Sequence, residues 1–544
     1  MNIDLIFRAC QMAPLFLPIV AVVASTILHS SDNKIRCLAL GQWTALATST
    51  LGLFWFIFCQ HTAPADIVLV PTLVTERMDL VAVGMAAVIG AISVLAVFFG
   101  ERSLSGDRGE KYSVSFVQHL VGLATVATWL AGADSLYLLV ACWTGISFLL
   151  WRLLGMRPEG VASARLVLGH HLFSDILLLS AAGLILFYCQ TANLSTLSSH
   201  VAILQTRLFG LFGISISVAD LIGVLLVLAM AVKSALFPFQ RWLLGMIDGP
   251  TVLSAMLHGG VVNVSFVLGA RTMPILCQSA GALILLACLA TLSAVLGTLV
   301  CATKSAVKAK LVYSTSGQMG FMVLQLAVGG LSMALFHWQG AAVAGIALAF
   351  FHLIAHSPFK ALLFLRAGSV VAEGLRKKKV GYASSTEPMT NGRRLAAVFL
   401  FVAALAICSW LLLDPAAGSK SVLSAVIVSL AILWTLPTFN RIGGGVLLVG
   451  GISYLAAVTV SRLVSNRLDE VMGPVPAQTE WLWAVCVGVF AFIGLLVHSV
   501  QNTGAGRALY VHALNAFYLE EVLAAVKSRV GEMRTKKLPG KSSA

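Results

Sequence analysis

The chain has 544 residues, of which 59% are apolar and only 11% charged, whereas an ordinary globular protein carries about 25% charged residues. At a mean hydropathy of +0.93 too few polar side chains remain to cover soluble domains, so a soluble fold is excluded and a polytopic membrane protein is expected. The formal net charge of +14 fits either nucleic acid or an anionic membrane face until the basic residues are placed.

A helix crosses the hydrocarbon with about 20 apolar residues, and the apolar runs predict an all-α polytopic protein of roughly fifteen spans. In chain order they cover about 12–29, 38–59, 79–100, 112–131, 135–151, 166–188, 218–240, 251–270, 279–302, 311–330, 339–365, 395–413, 421–437, 442–461 and 481–500. Arg8 precedes the first run without a clear small-residue cleavage site, so that run is read as a retained helix. After the last span, Leu509, Tyr510, Leu514, Phe517, Tyr518, Val522, Leu523 and Val526 fall close to one helical face ahead of a lysine-rich end. Residues 501–544 are therefore expected to hold an amphipathic helix on the cytoplasmic membrane surface or on a partner, with a solvated tail as the alternative. The ten cysteines are scattered singly and read as small core residues.

With the loops numbered alternately, most basic residues fall on one side. That side holds Lys34, Arg36, Arg102, Arg108, Lys111, Arg152, Arg157, Arg165, Arg241, Lys304, Lys308, Lys310, the cluster from Arg366 to Arg394, Arg441 and the tail. Arg8, Arg77, Arg207, Arg271, Lys420, Arg462 and Arg467 fall on the other. This is the positive-inside pattern of a multi-pass protein of a bacterial inner membrane, with a periplasmic N-terminus and a cytoplasmic C-terminus. It accounts for the basic excess without nucleic acid.

Ionisable groups within the apolar runs cost at least about 2.5–3.5 kcal/mol each on insertion scales. They are Asp175 in span 6, Lys233 in span 7, His258 in span 8, and His352, His356 and Lys360 in span 11, with His119 as a weaker member. Groups that exchange protons at moderate cost are what ion transfer through low dielectric needs. His352, His356 and Lys360 recur every fourth residue and stack on one face. Pro358 falls inside that row, frees the carbonyl of Ile354 and is read as a break in span 11, while Pro238 should break span 7 just past Lys233. Broken helices at this depth usually border hydrated cavities. Structural alternatives stand beside these readings: a packed histidine for His119, snorkelling for the two buried lysines, a membrane anchor for Lys308. His170 and His171 are left undecided. A histidine metal or haem site lacks further ligands, and neither a nucleophile–base constellation nor a cofactor-binding glycine motif occurs, so no enzyme activity, metal or cofactor is expected in this chain.

Three motifs carry a resemblance: AVKSALFPFQRWLLGMIDGPTVLSAMLHGGVV at 231–262, VYSTSGQMGFM at 312–322 and FFHLIAHSPFKALLFLRAGSV at 350–370. In that order they resemble the antiporter-like proton-translocating subunits of respiratory complex I and the Mrp antiporters, over about residues 75–440. The resemblance implies two inverted five-helix repeats, at 112–272 and 273–441. Spans 1–3 precede them at 1–111, and further spans at 442–500 and the tail at 501–544 follow. It implies ion-translocation roles for Lys233, for His258 on span 8, for the span 11 row, for Asp175 near the lysine, for Lys308, and for Lys420 on the exit side. The second broken helix would lie at Asp414-Pro415.

Departures narrow the family. Relatives carry a span 5 glutamate that pairs with the span 7 lysine, whereas Cys142-Trp143-Thr144-Gly145 replaces that motif and residues 135–151 hold no carboxylate. The aspartate usually found ahead of the Tyr-Ser-Thr motif is replaced by Ala306-Val307-Lys308. With residues 143–175 and 509–523, these departures are similar to the membrane subunits of the DabA–DabB inorganic-carbon accumulation systems. That resemblance implies a cation-translocating subunit, carrying H+ or Na+, coupled to a DabA-like cytoplasmic subunit. The partner would be related to β-type carbonic anhydrases and would hold the zinc, in a hetero-complex that is dimerised or not. An Mrp-like Na+/H+ antiporter or a respiratory subunit is the alternative, and an idle anchor for a soluble enzyme is a third.

Overall fold

The computed structural model describes residues 3–58, 65–70, 73–108, 110–211, 214–338 and 340–380, with His512 and Asn515. Lys420, Pro415, the spans expected beyond residue 380 and the amphipathic tail helix lie outside the described residues. The chain is predominantly helical: α1 Ile3–Ile27, α2 Ser31–Phe58, α3 Leu80–Arg108, α4 Glu110–Gly132, α5 Leu136–Gly155 and α6 Val161–Cys189. A short α7 (Ala202–Thr206) leads to α8 (Val218–Lys233), a short α9 (Arg241–Leu244), α10 (Thr251–Gly259), α11 (Val264–Arg271) and a short α12 (Met273–Leu276). The described bundle closes with α13 (Ala280–Thr303), α14 (Val307–Phe336) and α15 (Ala341–Val380). Among the described residues nine helical stretches are long and apolar enough to cross a membrane. Phe148, Ile176, Leu179 and Phe187 stand exposed on the outside of the bundle, as expected where lipid replaces water around a multi-pass protein.

Three sequence expectations differ from the structure, in the connections, in span 8 and at Pro358. Two antiparallel hairpins connect the helices, β1 (Ala65–Val70) with β2 (Val74–Met78) and β3 (Leu208–Leu211) with β4 (Ile214–Ser217). Ile67, Val68, Val70, Val74 and Thr75 favour strands, and in short segments between spans their backbone groups pair with one another. Span 8 is interrupted: α10 ends at the weak helix formers Gly259 and Gly260, a single 3-10 turn follows at Val261–Asn263, and α11 then completes the crossing. Pro358, in contrast, breaks nothing. α15 runs through it, because proline removes only one backbone donor while buried Ser357, Phe359 and Lys360 keep the flanking turns packed.

α8 does stop where Pro238 predicts, at Lys233. Ala235 takes a left-handed conformation (φ 54°), and the freed carbonyls of the last turn find partners. Leu236 N–H donates to Ala231 O at 2.9 Å, Trp242 Nε1 to Val232 O at 2.8 Å and Ser265 Oγ to Met230 O at 3.2 Å. The unwound stretch rests on α13 and α14: Ser316 Oγ donates to Ala235 O at 2.7 Å, and Phe237 N–H to Ser293 Oγ at 3.3 Å. α13 and α14 approach closely at Gly320, where a Cβ would stand 2.6 Å from Ala290 O and Ala294 N.

Candidate functional site

Lys233 occupies the last turn of α8, where the helix dipole favours a cation, and is 2% exposed. Its Nζ donates to Asp175 Oδ1 on α6 at 3.1 Å and to the carbonyl of Trp143 on α5. It also stands 4.3 Å from the centroid of the Trp143 ring, a cation–π distance. Asp175 accepts a second hydrogen bond, from Ser147 Oγ at 3.0 Å. Trp143 is fixed in turn, since its Nε1 donates to Ser174 Oγ at 3.2 Å and Ser174 donates to Ala229 O at 2.8 Å. A pair of opposite charges with added hydrogen bonds is the form in which buried ions are tolerated. An open groove of about 240 Å³ runs between α5 and α6 on the outer face of the bundle, with Asp175, Ser147 and Thr144 on its wall beside the exposed Phe148, Leu172 and Ile176.

The second cluster forms on α15. His352, His356 and Lys360 are buried at 5%, 7% and 2% exposure, so the expected row lies inside the protein rather than toward lipid. The His352 and His356 rings are 5.7 Å apart. Lys360 Nζ donates to Ser314 Oγ on α14 at 2.6 Å, so the motif serine faces a lysine. His258 of α10 stacks on Phe364 at 4.2 Å, and neither of its ring nitrogens has a hydrogen-bond partner. Asn263, at the break of span 8, donates to Ser357 Oγ at 2.9 Å and to Gly259 O at 2.9 Å, which ties the interrupted span to the α15 row.

The structure brings Lys233 together with Asp175, and His258 with the α15 helix. Lys308 is placed otherwise: its Nζ donates to Ile247 O at 3.1 Å and Gly249 O at 3.2 Å, holding the segment between α9 and α10. His119 Nδ1 lies 2.8 Å from Ser115 O in its own helix, and His171 packs edge-on against Trp242 at 4.5 Å. Ser147, Ser314 and Asn263 are site residues that sequence reasoning did not single out. Ser147 and Asn263 have no distinguishing sequence signal, whereas Ser314 sits within the recognised 312–322 motif. Among the described residues no cluster of three or more His, Cys, Asp or Glu side chains is placed to hold a metal ion.

A helical membrane bundle with a span broken beside a buried lysine, and further ionisable groups enclosed on a neighbouring helix, has the architecture of an antiporter-like membrane protein. The chain belongs to the family described as NADH:quinone oxidoreductase/Mrp antiporter, transmembrane, which matches residues 133–443, more than half of its length. Within that family it is similar to proteins named probable inorganic carbon transporter subunits. It is 29% identical to DabB2 of Halothiobacillus neapolitanus over 68% of this chain and 65% of that protein. It is 29% identical to DabB of Bacillus anthracis over 85% and 83%, and 30% identical to DabB of Bacillus subtilis over 69% and 69%. The match to the Halothiobacillus protein thus spans just under two thirds of its length. Among solved structures, an archaeal membrane-bound sulfane sulfur reductase complex aligns at a TM-score of 0.57 and 17% identity, covering 95% of this chain and 99% of that one. The Mrp complex of a Dietzia species aligns at 0.51 and 20%, covering 100% and 58%. At these identities the two structures share the fold with this chain.

Proposed function

We propose that this chain is the cation-translocating membrane subunit of a two-component inorganic-carbon accumulation system. It passes H+ or Na+ down its gradient into the cytoplasm, and a DabA-like zinc-containing partner on the cytoplasmic face uses that energy for one-way CO2 hydration or bicarbonate uptake. The names of the relatives support the carbon chemistry, and the departures at span 5 and ahead of the Tyr-Ser-Thr motif support this branch over a respiratory subunit.

The observation that carries the translocation reading is the Lys233–Asp175 pair at the broken end of α8. By the resemblance, the complex I and Mrp subunits carry this carboxylate on span 5, whereas here Asp175 of α6 supplies it, with Ser147 of α5 donating to it. In the proposed cycle the pair switches. While closed, the ammonium is neutralised by Asp175. When Asp175 turns away from Nζ, the unpaired ammonium in low dielectric passes its proton toward His258 and the α15 row. Re-pairing with Asp175 raises the proton affinity of the neutral amine, so Lys233 takes up the next proton.

The test is inorganic-carbon-dependent growth together with purification of the complex from native membranes and metal analysis. Lys233→Ala should abolish that growth while the partner still co-purifies, and Asp175→Asn should behave similarly. Normal growth of Lys233→Ala would remove the lysine from the pathway. Recovery of several small hydrophobic partners in place of one large zinc-containing cytoplasmic subunit would favour an Mrp-like antiporter or a respiratory subunit.

A further inference from the structure

One buried carboxyl group has no role in the cycle above. Glu76 lies on β2, outside the membrane-spanning helices and at the end of the bundle opposite the basic loops. It is 0% exposed, and neither carboxyl oxygen has a hydrogen-bond partner. Its backbone forms an antiparallel bridge with Ala133, just past α4, and Asp134 N–H donates to Thr75 O at 2.9 Å beside it. A Cβ at position 132 would fall on Glu76 Oε2 and stand 3.2 Å from Cδ. Glycine at the end of α4 therefore leaves the space that the carboxyl fills.

The charged and titratable groups facing Glu76 come from several elements. Arg271 of α11, Asp134 and Cys142 of α5 are its electrostatic neighbours. Arg271 is engaged elsewhere, with Nη1 on Asp79 Oδ2 at 2.5 Å and Nη2 on Ala131 O at 2.7 Å and Arg77 O at 3.4 Å. Burial pushes the Glu76 carboxyl well above the usual carboxylate range. The Arg271 attraction offsets this only in part, and Asp134 adds to it. An ionised carboxylate without a hydrogen bond would be costly in this enclosure, and the protonated acid is the form that fits. Cys142 immediately precedes Trp143, whose carbonyl and ring hold Lys233.

The geometry points to Glu76 as the proton-loading residue at the hairpin end of the conduit, a carboxyl that feeds Lys233 along α5. The step is a proton transfer without electron movement. Neutral Lys233 amine, having given its proton onward, accepts one released by the Glu76 acid with water as carrier, and the resulting carboxylate is reprotonated from the solution on the hairpin side. This inference rests on the role proposed for Lys233 and assigns the group from which its next proton comes.

The experiment uses the full complex with Glu76→Gln, Glu76→Asp and Lys233→Ala in parallel. It reads labelled bicarbonate accumulation against pH on the hairpin side, and the infrared carbonyl band of a protonated carboxylic acid. Glutamine keeps the shape of the neutral acid, so Glu76→Gln should assemble in wild-type amount, lose accumulation at least about tenfold, a barrier change of roughly 1.4 kcal/mol, and lack one acid band that the wild type shows. Glu76→Asp should retain accumulation with a shifted pH profile. Wild-type accumulation and an unchanged profile in Glu76→Gln, beside an inactive Lys233→Ala, would overturn this inference and leave the role of Lys233 standing. Full activity of Lys233→Ala would defeat that role instead. If Glu76→Gln fails to assemble, an unshifted profile in Glu76→Asp would show that the group is structural and overturn the inference.

Discussion

Lys233 and Lys360 are buried to the same extent, at 2% exposure each, and are held in different ways. Lys233 faces a carboxylate, a carbonyl and an indole ring. Lys360 donates to the hydroxyl of Ser314 and, among the described residues, has no ion pair. A paired ammonium can be switched by moving its counter-ion, and a hydroxyl-bound lysine can change protonation without leaving a carboxylate behind. In the proposed cycle the α8 site acts as the gate and the α15 site as the relay that follows it.

The largest expected effect separates the two sites directly. Lys233→Ala and Asp175→Asn should each abolish bicarbonate accumulation, and the double variant should be no worse than either, because the residues act as one unit; additive partial losses would argue against a switch. Stability should differ next. Asp175→Ala strands a buried ammonium and should lower unfolding stability by about 3 kcal/mol, read as a fall in Tm of the purified complex. Gly132→Ala drives a methyl group onto the Glu76 carboxyl and should lower stability by about 2 kcal/mol while leaving the Lys233 pair in place. Ser314→Ala removes one hydrogen bond from Lys360 and should cost only about 1 kcal/mol. If it matched Asp175→Ala, the contrast between paired and unpaired lysines would fail.

The smallest effect is a pH slope from the hairpin. The unfolded carboxyl titrates near 4.3, whereas burial holds folded Glu76 above its usual range. The stabilisation that goes with carrying this proton is complete below about pH 4.3 and is lost as pH rises through the folded-state value. Glu76→Gln should flatten that slope, so Tm measured against pH should show the variant gaining on the wild type toward alkaline conditions.

Apolar run length made most of the described crossings legible, and Pro238 marked the end of α8 because a missing donor is written in the sequence itself. Asp175, Lys233, His258 and the α15 row stood out because charge in an apolar run is costly wherever the chain folds. Other features depend on contacts between distant segments. Glu76 sits in the polar run Thr75-Glu76-Arg77 and reads as a loop residue; its burial comes from pairing with Ala133, 57 residues further on by number (133 − 76). Pro358 looked like a break because local chemistry disfavours helix there, and tertiary packing carries α15 through it. Ser314 was visible within its motif, but its partner on α15 was not.

In the proposed function the Lys233–Asp175 pair passes the cation that energises carbon accumulation. The most direct test places the purified complex in sealed vesicles, imposes first an H+ and then a Na+ gradient, adds bicarbonate, and follows the decay of each gradient. The wild-type complex should collapse one of the two gradients, and Lys233→Ala, assembled with its partner, should collapse neither. Equal collapse by wild type and variant would contradict it.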